Sequence, residues 1–109
     1  MTKGEQTRDF IYIGDVCDAL ISVMNRNIPT FQNINICSSI PTKLLDVANL
    51  VNNLWENPIR INAGVNNYRE NEIMDYFGSN IKARELLEWN PKINLEEGLR
   101  RTVEWYRSL

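Results

Sequence analysis

Arg8-Asp9-Phe10-Ile11-Tyr12-Ile13-Gly14-Asp15-Val16-Cys17-Asp18-Ala19-Leu20 is the stretch on which the reading of this chain turns. Phe10-Ile11-Tyr12-Ile13 is a short run of β-branched and aromatic residues, which predicts a buried strand over Arg8–Ile13. Gly14 punctuates it. Asp15 is then placed to cap a helix, its carboxylate accepting from amides two or three residues on. Val16, Ala19, Leu20, Val23 and Met24 recur at helical spacing, so a helix is expected from about Val16 to Asn25, ended by Asn27-Ile28-Pro29-Thr30.

Working outward, Phe31–Cys37 alternates, with Ile34 and Ile36 on one face, and predicts a second strand. After a proline-containing loop, Thr42 reads as the N-cap of a helix striped by Leu44, Val47, Ala48, Val51, Leu54 and Trp55, stopped at Asn57-Pro58. Ile59-Arg60-Ile61 reads as a short strand, and Asn62–Gly78 as an irregular segment of the kind that carries function. Ser79 or Asn80 opens a helix bearing Ala83, Leu86 and Leu87, which Trp89-Asn90-Pro91 closes with Asn90 as a left-handed cap. Asn94 and Glu97 form a capping box, and Leu95, Leu99, Val103 and Tyr106 line one face of the last helix. On its other face Glu96–Arg100 and Glu97–Arg101 are spaced for ion pairs. The order strand, helix, strand, helix, short strand, loop, helix, helix gives a mixed α/β (α+β) lobe with little sheet. Such a lobe has more amphipathic faces than layers to cover them, and is expected to lie against something larger.

The chain has 109 residues, with 12 Lys+Arg, 14 Asp+Glu and a formal net charge of -2. A chain of this size is one domain expected to bury roughly two-thirds of its unfolded surface. The charge balance argues against nucleic acid as a partner. No apolar run is long enough for a transmembrane helix, and no basic-then-apolar leader opens the sequence, so no membrane partner and a cytoplasmic location are expected. Cys17 and Cys37 are too few for a disulfide framework or a thiolate metal site and read as reduced, half-buried thiols.

The glycines, at positions 4, 14, 64, 78 and 98, form no phosphate-cradling loop. No tyrosine has a lysine four residues on, and there is no histidine to act as base or ligand. No catalytic and no metal-binding constellation is therefore expected. Three residues invite a ligand: Arg8 at a strand start, and Arg69 and Glu72 in the irregular stretch. Arginines on loops suit capture of phosphates, and a neighbouring carboxylate can accept from a sugar hydroxyl. The plainer alternative has Arg8 paired with Asp9 or Asp15, and Arg69 and Glu72 merely exposed.

Several stretches together resemble a known family. Gly4-x-x-x-Arg8-Asp9-Phe10-Ile11-Tyr12-Ile13-x-Asp15-Val16-x-x-Ala19-Leu20 resembles the opening of the carboxy-terminal lobe of the NAD-dependent epimerase/dehydratase family, the extended short-chain dehydrogenases/reductases acting on nucleotide sugars. Asn33-Ile34-Asn35-Ile36 with Ser38-Ser39 and Thr42 is similar to its next strand and helix start. Lys82-Ala83-Arg84-Glu85-Leu86-Leu87-x-Trp89-x-Pro91 and Leu95-Glu96-Glu97-Gly98-Leu99-x-x-Thr102-Val103-x-Trp105-Tyr106 are similar to its last motifs. Glu88 stands where the family usually has glycine, and Arg69-x-x-Glu72 matches its Arg-x-x-Asp with Glu for Asp.

The resemblance implies a two-lobed enzyme in which a dinucleotide-binding lobe holds NAD(P) and supplies a Tyr-x-x-x-Lys pair, while the smaller lobe grips the sugar's nucleoside diphosphate. Residues 1–109 are then expected to be that smaller lobe, with Arg8, Arg69 and Glu72 as substrate contacts, no cofactor bound by this chain alone, and no catalysis in isolation. Two alternatives stand beside it. One is half of a split epimerase or dehydratase completed by a separate dinucleotide-binding chain; the other is a non-enzymatic interaction module. In either, the uncovered interlobe face would meet that chain or a second copy.

Overall fold

The computed structural model describes all residues, 1–109. Its elements run β1 (Thr7–Asp9), α1 (Ile13–Met24), β2 (Pro41–Lys43), α2 (Leu44–Leu54), β3 (Asp75–Tyr76), α3 (Ile81–Leu87) and α4 (Leu95–Arg107). The sheet is three-stranded in the order β2-β1-β3; β1 is antiparallel to β2, with Arg8 opposite Thr42, and parallel to β3, with Arg8 opposite Tyr76. Arg8 therefore occupies the middle of the central strand.

The apolar run after β1 does not continue the strand. Ile11 packs against the core, and Tyr12 lies flat on α4, where a Cβ added at Gly98 would stand 3.2 Å from the Tyr12 Cβ. The chain turns at once into α1, which starts at Ile13 with Tyr12 as its N-cap and no side-chain cap. Asp15 thus sits inside the first turn and caps nothing. Its buried carboxylate accepts from the backbone amides of Lys92 at 3.0 Å and Ile93 at 3.1 Å.

Two further expected strands are absent. Phe31–Cys37 keeps the predicted alternation, and Ile34 and Ile36 pack on the core, but no residue in it makes a backbone-to-backbone hydrogen bond. Ile59-Arg60-Ile61 is also no strand, because the Asn52 side-chain amide takes both backbone groups of Ile59 at 2.8 Å. Thr42 does not cap α2; it pairs in β2, and the N-cap is Lys43 without a side-chain bond.

At α3 the N-cap is Asn80, whose buried side chain donates to the Cys37 carbonyl and accepts from no helix amide. Glu88, not Asn90, is the left-handed residue that ends α3, at φ 49°. Half of the expected capping box on α4 forms: the Asn94 side chain accepts from the Glu97 amide at 2.9 Å. The Glu97 carboxylate reaches forward to Arg100 and Arg101 at 2.7 and 2.6 Å instead of back, and Arg100 pairs with Glu97 and Glu104 rather than with Glu96.

Ala19, Ala83, Leu87 and Trp89 form the buried core, joining α1 to α3, with Ile11, Ile28, Ile34 and Ile36 against it. The Ser22 hydroxyl donates to the Leu87 carbonyl at 2.7 Å, and the Trp89 indole donates to the Asp15 carbonyl at 2.9 Å. Cys37 is buried and Cys17 is exposed, so neither thiol is half-buried. The folded surface is 8119 Å², which leaves about 56% of the unfolded surface buried rather than two-thirds. No helix is long and apolar enough to cross a membrane.

Candidate functional site

Arg8 and Glu72 meet at the β1–β3 side of the sheet, and Arg69 stands at the start of the turn that carries Glu72. Thr7 donates its amide to the Met74 carbonyl at 2.6 Å and its hydroxyl to Asp75 at 2.7 Å, which pins the segment before β3 alongside β1. Further out, the Tyr68 hydroxyl accepts from the Glu5 amide and donates to its carboxylate, both at 3.1 Å. The Tyr68 phenol is held above the ordinary tyrosine pKa, chiefly because it is partly withdrawn from water, with the Glu5 and Glu72 carboxylates adding to the effect. Between these anchors Arg69–Glu72 forms a turn, closed by the Glu72 amide donating to the Arg69 carbonyl at 3.1 Å.

That turn brings Glu72 onto Arg8, 64 residues earlier, with Nη2 donating to Oε1 at 2.9 Å. Arg8 also donates from Nη1 to the carbonyls of Thr7 and Ile73 at 2.7 and 2.8 Å. Its guanidinium is thus fixed by three acceptors while its side chain stays 30% exposed. Arg69 is exposed and makes no ion pair. The site presents one fixed cation, one unpartnered cation and one carboxylate. Such a set can take an anion between two guanidinium groups and offer an acceptor to a hydroxyl beside it.

The plainer alternative is corrected in its partners. Arg8 pairs with neither Asp9 nor Asp15, because both aspartates are already occupied by backbone amides. The Asp9 carboxylate accepts from the Ser38 amide and hydroxyl at 2.7 Å, from the Ser39 amide at 2.9 Å and from the Gly78 amide at 3.3 Å. It staples three segments next to Arg8, a role that sequence reasoning missed. The adjacent Ser38-Ser39 pair was the available signal, since serines on a loop carry free amides and hydroxyls.

A cavity of about 650 Å³ lies elsewhere, between α2 and Ile59–Asn62. Ala48, Val51, Trp55, Ile59 and Ile61 line it, walls suited to apolar side chains rather than to a pyrophosphate. Gly14 is closed by the Tyr12 ring, Gly78 by the Cys37 sulfur and Gly98 by Tyr12, leaving no glycine cradle open at a helix start.

Comparison with known proteins finds relatives and solved structures that match nearly the whole chain. A putative UDP-glucose 4-epimerase of Methanocaldococcus jannaschii is 33% identical over 106 residues, which are 96% of this chain and 32% of that protein. An epimerase of Methanothermobacter thermautotrophicus superposes with a TM-score of 0.87 at 28% identity, over 96% of this chain and 31% of its own. UDP-glucose 4-epimerase of Thermotoga maritima, solved with UDP-glucose, superposes with a TM-score of 0.79 at 29% identity, over 96% and 33% respectively. The chain therefore spans about a third of the length of the relatives it matches. The family model for GDP-mannose 4,6 dehydratase matches residues 1–102, and the chain belongs to that family, among the NAD-dependent epimerases and dehydratases.

Proposed function

We propose that residues 1–109 are the lobe of a nucleotide-sugar epimerase or dehydratase that holds the substrate's diphosphate, with hydride chemistry supplied by a dinucleotide-binding lobe outside this stretch. The observation that carries the reading is the meeting of Arg8 and Glu72 at 2.9 Å beside the unpartnered Arg69. Arg8 and Arg69 bind the pyrophosphate, and Glu72 accepts from the ribose. The extra methylene of Glu, compared with the family's Asp, is taken up by its reach to Arg8. No residue of this chain is assigned to proton or hydride transfer, NAD(P) belongs to the complete protein, and the lobe is catalytically silent alone.

Two charge-assisted phosphate contacts supply about 3–6 kcal/mol gross, and association costs at least about 4 kcal/mol. The isolated chain should then bind UDP-, GDP- or dTDP-sugars with Kd of about 1 mM or weaker. Titration followed by NMR should move the signals of Arg8 and Arg69 first. Arg69→Ala should abolish saturation and Arg69→Lys should weaken it, because Lys cannot make the forked contact. Micromolar affinity, or saturation unchanged in Arg69→Ala, overturns the proposal.

A further inference from the structure

Nothing apolar fixes the register of the strand that carries Arg8. β1 is Thr7-Arg8-Asp9, polar throughout and half-buried along its length, and it pairs with β2 over three residues and with β3 over two. Both residues of β3 are exposed, so no buried side chain anchors that strand either. Main-chain bonds alone hold a strand displaced by one residue as well, and such a slip carries every side chain to the opposite face. Short polar strands are where slips of this kind occur. For Arg8 a slip would mean leaving Glu72 and the Ile73 carbonyl.

Thr7 and Asp9 lie on the face opposite Arg8, since alternate residues of a strand share a face. Both are bolted there. The Thr7 hydroxyl donates to Asp75 of β3 at 2.7 Å. Asp9 has both oxygens filled: Oδ1 accepts from the Ser38 amide and hydroxyl, and Oδ2 from the amides of Ser39 and Gly78. Gly78 lies just beyond β3, so Asp9 ties the far end of that strand as Thr7 ties its near end. The loop that receives Asp9 is held in a costly form. Ser39 stands at φ 64°, in the left-handed region, and is kept there by its amide on Asp9 and by its hydroxyl, which accepts from the Asn80 amide at 2.9 Å. A one-residue slip would withdraw Asp9 from all of these donors at once and put in its place Arg8, a side chain that accepts nothing.

We propose that Asp9 is a positioning residue that holds β1 in the one register presenting Arg8 to an anion, with the Thr7 hydroxyl as its lesser counterpart. The role rests on the reading of Arg8 under Proposed function, but it is tested without any ligand. In the parent chain the Arg8 guanidinium has three acceptors, so its Nη groups should rotate slowly and give separate NMR signals. In Asp9→Asn that rotation should be at least about tenfold faster, because the charge-assisted bonds that lock the strand are lost. The nuclear Overhauser contact between Arg8 and Thr42 should fall by about half or more, with a new one between Thr42 and position 7 or 9. Asp15→Asn is the matched control: it alters the carboxylate that holds the Lys92 and Ile93 amides, and should leave Arg8 unchanged. Thr7→Val keeps the β-branched shape and removes only the bond to Asp75; it should speed the rotation about threefold, and it decides the matter if Asp9→Asn does not fold. An Arg8 guanidinium as slow in Asp9→Asn as in the parent chain, or as slow in Thr7→Val where that variant alone folds, overturns the proposal. Equal loosening in Asp15→Asn overturns it too, since the effect is then a general destabilisation. Titration with UDP-glucose separates this role from the substrate reading. Binding weakened at least about tenfold in Asp9→Asn and unchanged in Asp15→Asn supports both. No UDP-glucose shift of Arg8 in any chain, with the ligand-free response of Arg8 as expected, removes the substrate reading and leaves the register role standing.

Discussion

Removing the Asp15 carboxylate, 2% exposed, would take from the Lys92 and Ile93 amides the acceptor that both of them share. Hydrogen bonds to a charged group contribute about 1.5–3 kcal/mol each, so Asp15→Ala should cost about 3 kcal/mol or more, and Asp15→Asn, which keeps one acceptor, clearly less. Urea denaturation of the two variants checks the order. Glu88 lies at the opposite extreme. It holds φ 49°, a conformation costing a non-glycine residue about 1 kcal/mol, and its pair with Arg26 at 3.0 Å is exposed and weak. Glu88→Gly should therefore stabilise the chain by up to about 1 kcal/mol, seen as a raised denaturation midpoint with an unchanged slope. At this scale the sequence shows the chemical type of each residue but not whom it touches. Arg8 and Glu72 were legible as ligand-type residues, whereas their contact spans 64 positions and depends on the pairing of β1 with β3. A one-dimensional pattern holds no such register.

Among the elements, α4 is the most legible, because its cap, its apolar face and its ion pairs are all local. Its acid sensitivity follows from Glu97, which accepts from Arg100 and Arg101 and is thereby lowered from 4.5 to about 2. A carboxylate with a lowered folded pKa stabilises the fold fully above its unfolded pKa and loses that contribution as pH falls through the folded value. Glu97→Gln should then reduce the fall in Tm between about pH 5 and pH 2 while changing little at lower pH, once the wild-type carboxyl is itself protonated. A Tm profile for the variant that runs parallel to the wild type across that range would refute the assignment. The segment Phe31–Cys37 shows the converse of α4. Its alternation correctly named the inward residues Ile34 and Ile36, but strand character depends on a partner's backbone, and none in this chain reaches it. The strand expected over Arg8–Ile13 forms only at Arg8–Asp9, within β1, because Ile11 and Tyr12 after it are covered by the core and by α4 and need no sheet.

As a whole the molecule is a slab of 49 × 38 × 18 Å, with a Cα radius of gyration of 16.6 Å against about 13 Å for a compact chain of this length. At that thickness few side chains have neighbours on all sides, and 11 of 109 residues are buried, which is why composition alone overstated the burial. The denaturant slope scales with the surface released on unfolding. With about 10,300 Å² released in place of about 12,200 Å², the urea m-value should be about 15% below that of a compact chain of equal length. Stability should lie at or below about 5 kcal/mol, the lower end for folded domains, because the conformational entropy to be offset is that of a full 109-residue chain while the buried area is not. Small-angle scattering on the monomer should return a radius near the elongated value. A compact radius together with a full-sized m-value would mean that the exposed apolar side chains of α1, Ile13, Leu20 and Met24, fold back onto the rest of the chain in solution.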